Sequence, residues 1–218
     1  MDLLLTDREV RVLAALIEKE ITTPDYYPLS LNALTNACNQ KSNRHPVMAL
    51  DEQAVREALD SLNRRYLAGP ASNAESRVTK FEHRIPEVFN FGRRETALLC
   101  ELMLRGPQTL GELRSRAERM YRFEDLESLE ATLQKLSERQ PPLVKKLPRL
   151  PGTKEARYAH LLAGDQPEWS IGAAEPAPDS DSHLPDERVA QLAAEMEEIK
   201  RQLVNLEQQF AEFKKQFE

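Results

Sequence analysis

Three segments of this chain occur twice, in the same order. The stretch "REVRVLAALIE" at residues 8–18 matches "RETALLCELML" at 94–104, "PLSLNALTNAC" at 28–38 matches "PQTLGELRSRA" at 107–117, and "VREALDSLNRR" at 55–65 matches "LEATLQKLSER" at 129–139. The offsets are 86, 79 and 74, so the first copy is 7 residues longer between its first two segments and 5 longer between its second and third. A duplication of this kind restricts the chain to folds made by fusing two copies of one small unit. The extra residues of the first copy are "TTPDYYP" and an asparagine-rich stretch, "NQKSNRHPV", at 39–47.

Each copy reads as three helices followed by a β-hairpin. Thr6 and Glu9 form a capping-box pattern ahead of Val10, Leu13 and Ile17; Ser30 is placed to cap Leu31, Leu34 and Cys38; Asp51 is placed to cap Val55, Leu59, Leu62 and Tyr66. Spacings of three and four put one apolar stripe on each helix. In "RVTKFEHRI", Thr79, Phe81, His83 and Ile85 alternate with Val78, Lys80, Glu82 and Arg84, which predicts a strand. The second copy repeats the order with Thr109 and Glu112 as its capping box, Leu126, Leu129, Leu133 and Leu136 on its third helix, then "LVKKL" and "RYAHLL". The expected fold class is mostly α with small β-hairpins (α+β): tandem winged helix-turn-helix domains over 1–91 and 92–163.

Residues 164–185 are rich in Pro, Ala, Ser and Asp and read as a disordered linker. Beyond it Val189, Leu192, Met196, Ile199, Leu203, Leu206, Phe210, Phe213 and Phe217 recur at alternating spacings of three and four. That heptad stripe predicts a C-terminal coiled-coil helix over 186–218 and a homo-oligomer held by it; a helix folded back on the two domains is the alternative.

Net charge is −6, with a gradient inside it: residues 93–163 carry 14 basic side chains against 10 acidic, and residues 164–218 carry 5 against 13. A uniformly basic nucleic-acid binder is excluded, and a local basic face on the middle third is not. No run approaches the roughly 18 apolar residues of a membrane span, and the N-terminus lacks the pattern of an export signal, so a cytoplasmic protein is expected. Cys38 and Cys100 sit in apolar helical patterns without a C-x-x-C partner and read as small buried hydrophobes. The four histidines have no metal-ligand spacing and no glycine-rich phosphate loop is present, so no catalytic residues, metal or cofactor are expected.

Binding is the remaining reading. In a groove-reading helix-turn-helix the third helix approaches phosphates, yet residues 51–65 carry 3 basic and 4 acidic side chains and residues 124–139 carry 2 and 5. Donors concentrate elsewhere. Asn39, Lys41, Asn43, Arg44 and His45 lie in the loop before the third helix, and Arg77, Lys80 and Arg84 on the first wing; these are the candidate phosphate contacts. The asparagines are equally suited to bonding their own backbone and shaping a turn. Lys145, Lys146, Arg149, Lys154 and Arg157 form a second basic strip, for which a solvated face is an equal reading. Tyr26 and Tyr27 are expected to pack the long first connection, and Trp169 to be a docking residue or short interaction motif. DNA is one partner class and another protein, gripped by the acidic third helices, the other.

The stretch "EKEITTPDYYPLSLNALTNACNQKSNRHPVM" at 18–48 closely resembles the YceH-like family of bacterial proteins of unknown function, a likeness that extends through "RVTKFEHR" and "RYAHLL". The resemblance implies a tandem winged-helix fold. It implies no catalytic residue and no ligand.

Overall fold

The computed structural model describes residues 4–71, 78–149, 153, 155–170 and 201. The chain divides into two compact units, Met1–Glu175 and Pro176–Glu218. Both copies of the repeat lie in the first unit; the heptad stripe at 189–217 and most of the expected linker lie outside the described residues. The fold is mixed, with seven α-helices and two small antiparallel sheets among the described residues.

The first copy runs α1 (Asp7–Thr22), β1 (Leu29–Ser30), α2 (Leu31–Cys38), α3 (Glu52–Arg64), β2 (Ala68–Pro70) and β3 (Lys80–His83). The Thr6 side chain accepts from the Glu9 amide at 3.3 Å while the Glu9 carboxylate accepts from the Thr6 amide at 2.6 Å, so two of the donors that a helix start leaves open are satisfied reciprocally. The side chains of Ser30 and Asp51 cap α2 and α3 by accepting from the amides of Ala33 (3.3 Å) and Ala54 (2.8 Å). A short helix, α4 (Ile85–Phe89), then leads to the second copy: α5 (Arg93–Arg105), α6 (Leu110–Ala117), α7 (Leu126–Ser137), β4 (Val144–Lys146) and β5 (Tyr158–His160). The strand expected to reach Ile85 stops at His83, because Pro86 has no amide proton for a ladder and instead sits in the first turn of α4.

The duplication is visible in the hydrogen bonding. The first sheet has the order β1-β3-β2, with Leu29 opposite Phe81 and Ala68 opposite His83. In the second copy Gln108, which stands where Leu29 stands in the first, bridges Tyr158, and Val144 pairs His160. His83 and His160 are therefore equivalent, and both are buried.

One continuous core joins the copies, and its centre is the crossing of α1 and α5. Ala14, Ala15, Ala97 and Cys100 are fully buried there, and side chains this small let two helix backbones approach closely. The Cys100 thiol donates to the Ala14 carbonyl at 3.4 Å. Ala14 and Cys100 are the same position of the repeat, 86 residues apart, so equivalent residues meet at the crossing as they do across a two-fold axis. Cys38 and Cys100 are free, buried thiols. Burial pushes the Cys38 thiol up to about 12 and that of Cys100 well above its ordinary value, which leaves both protonated and unreactive.

Candidate nucleic-acid interface

The asparagine-rich loop turns inward. The Asn39 amide brackets Leu50, donating to its carbonyl at 2.7 Å and accepting from its N–H at 2.8 Å, which closes the loop on itself. Arg11 of α1, 1% exposed, donates to the carbonyls of Cys38 (3.3 Å) and Pro46 (2.7 Å) and so ties down both ends. Burial and the nearby Arg44 lower the pKa of Arg11 to about 10, which leaves it a cation at neutral pH.

Arg44 corrects the reading of this loop as a set of phosphate contacts. Its side chain has no exposed area. It lies under the loop, where its Nη1 donates to Glu18 Oε1 at 3.0 Å and its Nη2 to Glu18 Oε2, forming a two-pronged ion pair with a carboxylate 1% exposed. Its remaining donors take the carbonyls of Ala37 (2.9 Å) and Asn43 (2.8 Å). No phosphate can reach it. Asn43 is likewise engaged, with its backbone at φ +57° and its side-chain oxygen accepting from Arg105 of α5. The His45 ring is exposed, but its backbone N–H donates to the Leu104 carbonyl at the end of α5, 2.9 Å away. Lys41 alone of the loop cations keeps an exposed side chain.

What the loop grips is the second copy. Arg119, just after α6, donates to Glu18 Oε1 and, at 3.1 Å, to Glu101 Oε2, while Arg105 pairs with Glu101 at 2.9 Å. Burial opposes the charge on Glu18, but the hydrogen bonds and charge of Arg44, with those of Arg119, hold its carboxyl below the ordinary value. Burial likewise opposes the charge on Arg119, and Glu101 and Glu18 overcome it and raise its pKa. The sequence reading missed this network. Its one signal was charge inside an apolar helix pattern: Arg11 and Glu18 stand seven apart on α1, and Glu101 interrupts the run "TALLCELML".

The two sheets differ. On β4 and at the start of β5 Lys146 pairs with Glu130 at 3.1 Å, Lys145 with Asp165 at 2.5 Å, and Arg157 donates to the Trp169 carbonyl at 2.8 Å, whereas Arg149, beyond β4, is exposed with no partner among the described residues. Trp169 belongs to a 3-10 turn, Pro167–Ser170, and its ring meets that of His160 edge-on with centroids 5.5 Å apart. The start of the expected linker is thus seated on the second copy. On β3 and just after it, Lys80 and Arg84 are partly exposed and their side chains have no acid or carbonyl partner among the described residues. Arg77 and Lys154 lie outside the described residues. At the end of β3 the N–H of His83 donates to the Tyr27 hydroxyl (2.8 Å), and Nε2 of the same histidine meets Glu20 at 2.8 Å, so Tyr27 packs the long connection as expected while Tyr26 is 76% exposed.

Among the described residues no group of His, Cys, Asp and Glu is arranged to hold a metal ion, and no helix is long and apolar enough to cross a membrane. The geometry defines a class: two fused copies of a three-helix and sheet unit, clamped by buried ion pairs. The chain belongs to the family described as "Protein of unknown function, DUF480", which matches residues 5–153. It is similar to a UPF0502 protein of Geobacter sulfurreducens, 51% identical over 223 residues with both chains fully covered. It is also similar to one of Koribacter versatilis, 56% identical over 201 residues (91% of this chain and 92% of that protein), and to one of Geotalea daltonii, 58% identical over 165 residues (76% and 75%).

Proposed function

We propose that this protein is a non-enzymatic, cytoplasmic, tandem winged-helix protein that binds nucleic acid by its phosphate backbone, through the first wing. The narrower likeness to YceH-like proteins and a homo-oligomer held by the heptad stripe belong to the same reading. The carrying observation is the contrast between the wings: Lys80 and Arg84 lack counter-charges among the described residues, whereas Lys145 and Lys146 have theirs. An unpaired cation on a protruding sheet is what a phosphate requires. Lys41 is a further exposed cation, on the loop. The winged-helix reading is supported by the order of three helices and an antiparallel strand pair, found twice, with a third short strand or bridge in the same place.

A second reading is favoured by the third helices. The exposed side chains of α3 include Glu52, Glu57 and Asp60, and those of α7 include Glu127 and Glu130, faces that repel DNA and suit a protein partner. A titration with random duplex DNA over a range of salt separates the two. In the first reading binding falls steeply with salt, and Lys80→Ala with Arg84→Ala flattens the slope by roughly 2, about one per phosphate contact. Absence of binding to both duplex and single-stranded DNA at low salt would leave the adaptor.

A further inference from the structure

The chain leaves α3 through an unusual residue. The Leu67 N–H returns to the Leu62 carbonyl and the Tyr66 N–H to the Asn63 carbonyl, both at 3.0 Å, which is the bonding of a Schellman cap. The residue in the left-handed position of such a cap is ordinarily glycine, and α5 has Gly106 at its end with φ +75°. Here it is Tyr66, at φ +60°. A bulky side chain in that conformation is strained, and burial does not offset the strain, because Tyr66 is 67% exposed. The fold thus holds a flat aromatic ring in solvent at a position where glycine would be more stable.

A cation suited to an anion lies on the strand that follows the cap. The Arg84 N–H donates to the Leu67 carbonyl at 2.8 Å, which fixes Arg84 beside the cap. Its guanidinium lies over Gly69: a Cβ there would come within 2.9 Å of Arg84 Nη2 and 2.5 Å of Asn63 Oδ1. Glycine at 69 makes room for the arginine to lie flat against the strand. Arg64, two residues before Tyr66, is an exposed cation on the last turn of α3. The carbonyl end of a helix ordinarily repels an anion, but the Leu62 and Asn63 carbonyls are taken up by the cap itself.

From this juxtaposition we infer that Tyr66 and Arg84 form a binding site for single-stranded nucleic acid, in which an unpaired base stacks on the Tyr66 ring and the adjoining phosphate rests on Arg84. The inference rests on the nucleic-acid reading of the first wing and narrows it. In a duplex each base face is covered by its neighbours, so a duplex offers this surface phosphates only; a single strand offers phosphates and open faces, and stacking tolerates any base.

The test compares full-length wild-type protein with Tyr66→Gly, Tyr66→Asn and Tyr66→Phe, using fluorescent oligo-dT and a random duplex as probes, with a thermal melt of each variant. Glycine and asparagine both accept the left-handed conformation, so Tyr66→Gly is expected to melt at or above the wild-type temperature while binding oligo-dT about tenfold more weakly. Tyr66→Asn repeats that loss, Tyr66→Phe keeps the wild-type affinity, and duplex binding is unchanged in all three. Equal oligo-dT binding by wild type and by the folded Gly or Asn variant overturns the stacking site while leaving the phosphate-binding wing standing. Failure of the wild type to bind either probe overturns both.

Discussion

At the scale of single residues, the two cations that stand closest in the loop have opposite fates. Lys41 is exposed, whereas Arg44, three residues on, is enclosed with Glu18. Removing Arg44 leaves buried Glu18 with Arg119 as its remaining strong partner and strips the Ala37 and Asn43 carbonyls of their donor, at a cost of up to roughly 3–5 kcal/mol, while an exposed side chain away from such features changes stability by about 0.5 kcal/mol or less. Arg44→Ala is therefore expected to lower the melting temperature by about 10 °C or more, and Lys41→Ala to leave it in place; calorimetry on the two variants checks both. His160 supplies a pH dependence. Burial without a partner for Nδ1 lowers its pKa to about 4 from an ordinary 6.5, so the folded state favours the neutral ring. The associated stability is complete above pH 6.5 and is lost as pH falls toward 4, by about 3 kcal/mol in all. Denaturant unfolding between those pH values is expected to show this loss in the wild type and to lack it in His160→Leu.

At the scale of elements, the helix starts were the most legible part of the chain. A cap is a local event, and Thr6 with Glu9, Ser30, Asp51, and Thr109 with Glu112 act within four residues of where the sequence shows them. The strands were legible in place but not in extent, since Ile85 alternates correctly and is removed from the ladder only by the proline behind it. The ion network was illegible for the same reason that the caps were clear: Arg44 and Glu18 are 26 residues apart, Arg119 and Glu18 are 101 apart, and nothing in composition pairs them. For the candidate site this meant that donor-rich sequence was mistaken for donor-rich surface. The strained Tyr66 could not be read at all, because a backbone dihedral leaves no trace in the sequence when the residue is not glycine or asparagine. The α1–α5 crossing, in contrast, is predictable from the small residues once the repeat is aligned. Ala14→Leu adds three carbons at a fully buried contact with Cys100 and is expected to cost about 1–3 kcal/mol by overpacking. Cys100→Ala, which only removes a sulfur, is expected to cost less. Parallel urea titrations of the two variants measure the difference.

At the scale of the whole molecule, the question is whether the two copies are two domains or one. Each has its own three helices and sheet, which is the reason for placing a boundary near residue 91. The interior argues for joint stability: α1 and α5 bury Leu13, Leu16, Leu98 and Leu102 in one continuous core. The charges argue for it more strongly, since Glu18 of the first copy draws one of its partners, Arg119, from the second, and Asn43 and His45 of the first copy bond Arg105 and Leu104 of α5. A separated first copy would expose the apolar face of α1 and leave Glu18 with Arg44 alone, which makes it less stable than the pair by both the lost burial and the lost counter-charge. Residues 1–175 are therefore expected to unfold in a single calorimetric transition, with van't Hoff and calorimetric enthalpies equal, and a fragment of residues 1–91 to show no cooperative melt. Two resolved transitions, or a cooperative melt of the fragment near the temperature of the longer chain, would show that the clamp orients the copies without stabilising them.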